Sequence, residues 1–153
     1  DLEGILAELG SQPEPWTGLS PQTTLGHIHL HVARIKETEV FYCEVLGFDL
    51  MQRFGYSASF ISAGGYHHHI GANIWAGLNA PPPPPDAAGL RYFTIVLPTD
   101  AALAEVVERI ERAGVTFQHR DKVVFLRDPS RNGVALSAGQ SPEAIAAVVS
   151  VGI

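Results

Sequence analysis

The chain has 153 residues, 46% of them apolar and 17% charged, and a net charge of −6. That length carries one domain with a real core and is short for two, and the composition excludes a disordered chain. The acidic balance argues against nucleic acid and an anionic membrane surface as partners, and no apolar run reaches the ~20 residues of a membrane span.

The first nine residues read as a short helix, with Asp1 as cap and Leu2, Ile5, Leu6 and Leu9 as its apolar stripe. A Pro/Ser/Thr-rich loop follows over 11–24, with Trp16 as its expected anchor. The pattern then predicts a strand at about 24–33 and a helix at about 36–46, its buried side supplied by Val40, Phe41, Cys43, Val45 and Leu46. Gly47 is the expected C-cap. Three strands follow at about 48–54, 58–62 and 67–75, with turns at Gly55 and Gly64-Gly65.

Pro81 to Pro85 exclude a helix or central strand and predict a stiff extended crossover over 76–89. The pattern then restarts. A strand is expected at about 91–97, a helix at about 99–113, and strands at about 115–119, 122–126 and 133–138. Thr99 or Asp100 should cap the helix, and Gly114 should end it. Units 24–75 and 90–138 therefore share one βαβββ order. Ser141 to Val149 close the chain as a short helix. The resulting division is an N-terminal helix and connector (1–23), one domain (24–140) and a C-terminal helix (141–153).

Cys43 is the only cysteine, which excludes a disulfide framework and fits a reducing cytoplasm. It reads as a buried helical thiol, with a nucleophile as the alternative. The only methionine is Met51, so the chain is read as a processed protein or an excised fragment.

Six of the seven histidines fall in two stretches, Leu25 to Val32 and Gly64 to Asn73. Residues two apart on a strand share a face. The alternation therefore predicts His27, His29 and His31 on one face, with Ile28, Leu30 and Val32 opposite. His67 and His69 likewise share a face, and His68 points away from them, under the helices. His31 lies nearest a strand end and His119 in a turn beside Arg120 and Asp121, and both read as solvated. Neutral imidazoles are ligands for Fe(II), Zn(II) or Ni(II). No GxSxG elbow, phosphate loop or paired cleft carboxylates are present. Glu105, Glu108 and Glu111 with Arg109 and Arg112 read as a solvated helix face.

Two βαβββ units across a proline linker, opening with Gly26-His27-Ile28-His29-Leu30, resemble the vicinal oxygen chelate superfamily of glyoxalase I, extradiol dioxygenases and bleomycin resistance proteins. Phe41 to Phe48 is similar to its FYxxvLGF stretch, and Asp128 to Val134 to its DPxGN turn. Ala63 to Gly71, followed by Trp75 and the proline run, is similar to the second module of two-module catechol 2,3-dioxygenase-like proteins. The resemblance implies an α+β fold in which the two units form a half-open, barrel-like cleft with helices outside. It also implies a small-molecule ligand, pairing as a homodimer or with a related module, and a divalent metal: Fe(II), or alternatively Zn(II), Ni(II) or Mn(II).

Residue by residue, the resemblance places a metal ligand at His27. His69 falls on a ligand or acid/base position. His29, His67, Tyr66, Trp75 and Tyr92 would line the substrate, with Phe60 and Phe93 as further aromatic wall. Tyr92 and Ala135 stand where the family carries its other two ligands, a histidine and a glutamate. Three readings follow: a metal-dependent dioxygenase-like or glyoxalase-like module with a shifted site, a metal-poor binding or pairing module, or histidines with structural roles only.

Overall fold

A computed structural model of the chain describes residues 1–8, 10, 15, 17–140 and 142–150. Trp16, Leu9 and Ser141, to which the sequence assigns an anchor, a stripe position and a cap, lie outside the described residues.

α1 (Leu2–Ala7) opens the chain, and the Asp1 side chain caps it by accepting from the Gly4 amide at 2.9 Å. Its Leu2, Ile5 and Leu6 are exposed. The first unit runs β1 (Ile28–His31), α2 (Ile35–Glu39), a π-helical segment (Val40–Val45), β2 (Asp49–Phe54), β3 (Ala58–Ser62) and β4 (Ile70–Asn73). The second runs β5 (Phe93–Val96), α3 (Asp100–Arg112), β6 (Phe117–Arg120), β7 (Val123–Arg127) and β8 (Gly133–Ser137), and α4 (Pro142–Ser150) follows. The strands form two separate four-stranded sheets, ordered β1-β4-β3-β2 and β5-β8-β7-β6. In each, the opening strand runs parallel to the last, and the other pairings are antiparallel. The chain is thus α+β with a repeated βαβββ unit and no closed barrel among the described residues.

One core joins both units. Leu30, Ile61, Ile70 and Ala72 of the first sheet and Val124, Leu126, Val134 and Leu136 of the second pack with Phe41, Tyr42, Val45, Leu46, Leu103, Val106 and Ile110 of the helices. Period two then turns His29, Gly71 and Phe60 to the other face of the first sheet, and Val123, Phe125, Ala135 and Ser137 to the other face of the second.

The helix at 36–46 departs from the regular α pitch that its sequence suggests. From Val40 it widens, and the Leu46 amide bonds back five residues to the Phe41 carbonyl at 3.0 Å. The wider turn brings Tyr42 to full burial and leaves Val40 41% exposed, correcting the expected stripe. Arg109, expected on a solvated face, closes the widened end. Its Nε donates to the Val45 carbonyl and a terminal nitrogen to the Leu46 carbonyl, both at 3.0 Å. Gly47 takes φ 89°, and a Cβ there would meet the Arg109 guanidinium at 2.8 Å. It therefore serves both conformation and close approach.

Glu39 ties the helix to the first sheet. It accepts two bonds from Arg53, both at 2.8 Å, and a third from the Ser59 hydroxyl at 2.6 Å. The Arg53 pairing holds its carboxyl below the usual range.

The two units are latched at the turn after β7. The buried Asp128 carboxylate accepts from the Ser130 and Asn132 amides, from Asn132 Nδ2, and from the Tyr42 hydroxyl at 3.1 Å. Ser130 Oγ accepts from the Ala33 amide at 2.9 Å, just past β1. Burial pushes Asp128 up in spite of its four donors, and burial beside this carboxylate pushes Tyr42 up as well. Tyr42→Phe should cost about 1–3 kcal/mol, because it strips one donor from a buried acid. A lower urea midpoint at unchanged slope is the expected result, and an unchanged midpoint would mean that the latch holds nothing together.

Candidate metal centre

The site begins with the register between β1 and β4. His29 pairs with Gly71, and both face away from the helices. One step earlier, the Ile28 amide bonds to the His69 carbonyl at 2.9 Å, which holds the 67–69 run beside the start of β1. That run is not yet strand: β4 begins only at Ile70, after an irregular passage out of Gly64 and Gly65, both at positive φ.

The alternation expected for 67–69 therefore fails. His68 does not pack under the helices but turns to His27 and His29. Ring centroids are 4.6 Å apart for His27–His68, 5.3 Å for His27–His29 and 5.5 Å for His29–His68. One ring nitrogen from each of these three lies within 4.8 Å of the others. Three nitrogens at 2.0–2.1 Å on a tetrahedral ion sit ~3.3 Å apart, so the three rings would have to draw together to hold one.

His69 does not join the triad. Its Nδ1 accepts from the Ala63 amide at 3.3 Å and lies 2.9 Å from the buried Ser62 hydroxyl. With Nδ1 taken as acceptor, the neutral ring carries its proton on Nε2. His69 is thereby held as a donor beside the triad, under the Tyr66 ring at 4.7 Å. His67 sits at the rim, 4.6 Å from His68 and 4.1 Å from Tyr66. Phe60 forms the floor, 5.0 Å from His68 and 6.3 Å from His29. Trp75 is 65% exposed, and His31 is exposed on the same strand as His29. His119 is exposed too, though on strand β6 and not in a turn.

Tyr92 goes elsewhere. It packs with Val123, Phe125, Ala135 and Ile145, in a cluster where α4 covers the second sheet. Ala135 is fully buried there. The two positions where the family resemblance expects ligands on this sheet thus lie in an apolar contact. A metal held by the usual spread of two histidines and one carboxylate does not fit these residues. A three-imidazole set on the first sheet does fit, and His68 Nε2 supports it: that atom is buried and has no hydrogen-bond partner. An orphaned buried acceptor is costly unless something meets it.

Burial first, and then the surrounding imidazoles of His27, His67, His29 and His69, hold His68 below the ordinary imidazole value. The unfolded chain therefore takes up the proton before the folded one does. His68's contribution is intact above the ordinary value and is lost as the pH falls through it towards the lower folded value. Stability measured between about pH 7.5 and 5.5, a window set around the ordinary imidazole value, should fall more steeply in the parent than in His68→Ala; equal slopes would contradict this.

Comparison with known proteins agrees with this fold. The Glyoxalase/Bleomycin resistance protein/Dioxygenase superfamily model matches residues 24–136, and the chain belongs to that superfamily. It is 49% identical over 130 residues to the catechol-2,3-dioxygenase of Bacillus subtilis (strain 168), a match that takes in 84% of this chain and 45% of that one. The chain therefore spans about half the length of this curated relative. A lactoylglutathione lyase from Agrobacterium tumefaciens superposes with TM-score 0.60 at 21% identity, covering 78% of this chain and 96% of that one. A glyoxylase/bleomycin resistance protein/dioxygenase domain from Frankia sp. EAN1pec gives 0.62 at 19%, covering 77% and 98%. At these identities the likeness is one of fold. Among the described residues no helix is long and apolar enough to cross a membrane.

Sequence reasoning misses the place of His68 in the cluster. The available signal is three consecutive histidines after a double glycine. Such a turn resets strand parity, so any of the three could face His27.

Proposed function

We propose that residues 24–140 form a metal-dependent glyoxalase-like or extradiol-dioxygenase-like module, acting on a catechol-like or other vicinal-oxygen substrate. The observation that carries this reading is the His27–His29–His68 cluster with its unpartnered nitrogen. These three residues would hold the divalent ion. Fe(II) is the first candidate by likeness to the dioxygenase relative, and Zn(II), Ni(II) and Mn(II) are alternatives. A bound ion supplies Lewis-acid polarisation of the substrate oxygens and lowers their pKa.

The chain's own residues do the rest. Three neutral imidazoles leave the ionic charge uncompensated, which favours an anionic pair of oxygens as the remaining ligand. Phe60 gives an aromatic ring something to lie against. Tyr66 and His67 flank the approach, and Trp75 stands further out. His69, its Nδ1 turned to Ser62 and Ala63, presents Nε2 to a substrate oxygen: the neutral ring donates a hydrogen bond there, and an acid/base role would run between the imidazolium, which gives the oxygen a proton, and the neutral ring left behind. Tyr92 belongs to the substrate wall only if α4 moves aside.

A second reading has its own support. Ala135, where the family resemblance expects a carboxylate, lies buried against Ile145. On that reading the chain is a metal-poor small-molecule binding or pairing module, bleomycin-resistance-like, and a related module or a second copy carries the chemistry. The exposed Leu2, Ile5 and Leu6 on α1 suit such pairing in the cytoplasm.

Reconstitution with Fe(II) under argon, followed by elemental analysis, separates the two. The metal-dependent reading expects close to one equivalent. Less than about a tenth of an equivalent would eliminate it. Oxygen uptake with catechol then distinguishes dioxygenase from glyoxalase-like chemistry. Sedimentation of the chain should show a dimer; a stable monomer would count against pairing with itself.

A further inference from the structure

The glycine opposite His29 is unusual for its place. Gly71 lies inside β4, buried, paired with His29 on one side and Phe60 on the other. Its φ is not in the left-handed region, so the backbone there suits any L residue. A glycine inside a strand weakens it and packs nothing, and its presence often marks a close approach by another group. The approaching group here is the His29 imidazole. A Cβ on Gly71 would lie 2.6 Å from His29 Cε1, 2.7 Å from Nδ1 and 3.0 Å from Nε2. Ordinary carbon contacts are ~3.5–4.0 Å. The ring therefore lies against the glycine Cα, in space a methyl group would fill, with Phe60 and His68 beyond it.

We infer that Gly71 is the positioning residue of the imidazole cluster. Its missing side chain lets His29 lie down on the sheet and bring a ring nitrogen to those of His27 and His68. The three atoms nearest a methyl group at 71 all belong to the far end of one rotatable side chain. The ring would swing out while the strand keeps its register. The expected consequence is loss of the ligand set without loss of the fold. The binding part of this inference rests on the metal-dependent reading above; the ring placement does not.

The experiment is a double-mutant cycle on the full chain, with Zn(II) alone as the redox-inert probe. Gly71→Ala should bind Zn(II) at least about ten-fold more weakly, the scale typical of disturbing how a ligand is held, with an unfolding midpoint no lower than the parent's. In a His29→Ala background the same glycine change should alter Zn(II) affinity by less than about two-fold, because the residue it acts through is gone. Parent-like Zn(II) binding by Gly71→Ala, or an equal loss in both backgrounds, overturns the inference. Misfolding of Gly71→Ala that His29→Ala relieves supports the clash; misfolding in both backgrounds overturns the positioning role. Should the parent bind no Zn(II), the functional reading fails, and the metal-free NMR spectrum decides the ring placement separately. The His29 Cε1–H resonance must then move on Gly71→Ala while that of His69 stays, and an unmoved His29 signal overturns the inference.

Discussion

His68→Ala should abolish stoichiometric metal binding, lowering affinity by more than about 100-fold, beyond the 10–100-fold typical of merely disturbing a ligand's support. His68 stands 4.6 Å from His27 and 5.5 Å from His29, and it alone of the three comes from outside β1 and its approach. Two imidazoles from one strand leave an ion mostly water-bound. His68 would turn that pair into a three-imidazole set. His27→Ala should have the same effect. His69→Ala, by contrast, should keep the metal, since Nδ1 of that ring is committed to Ser62 and Ala63. Calorimetric titration with Fe(II) or Zn(II) makes the comparison. If His69→Ala loses the metal and His68→Ala retains it, the His27–His29–His68 ligand set is wrong and simple strand alternation through 67–69 is right.

Ala135→Glu should destabilise the chain by about 3–5 kcal/mol and should not improve metal binding. By sequence alone this substitution looks like a repair, since it restores the acid the superfamily resemblance expects on the closing strand. The tertiary structure places it under α4, among Val123, Phe125, Ile145 and Tyr92. A carboxylate there would lie among apolar and aromatic side chains, and a buried charge that they cannot pair is expensive. Denaturant unfolding and metal titration read the two effects. A stable variant with tighter metal would show that α4 is readily displaced and that the second sheet still belongs to the metal site.

Much of the fold is legible in the sequence. Both βαβββ units follow from apolar periodicity and glycine punctuation, and the proline tract falls between them as a crossover. The strand over 58–62 has the bounds the pattern suggests, while several others are shorter. The stretch 67–75 is a strand only over Ile70–Asn73, because a run leaving a double-glycine turn settles into the ladder late. The π-helical turn is not legible, since it depends on Arg109 arriving from α3 to take two carbonyls at its end.

For the candidate site, the sequence by itself determined the residue types and half of their placement. Alternation along one strand puts His27 and His29 on a common face, whatever else the chain does. Only the tertiary structure decided that His68 is the third imidazole of the cluster. The 67–69 run is anchored to β1 and β3 through the His69 backbone, and its side chains are free to depart from strand parity. Only the tertiary structure, likewise, decided that Ala135 is core. Ile145, from a helix that follows the closing strand, covers it, and burial of that kind leaves no trace in local periodicity. Short-range patterns report which face a side chain takes. What lies against that face is a matter of packing between distant segments.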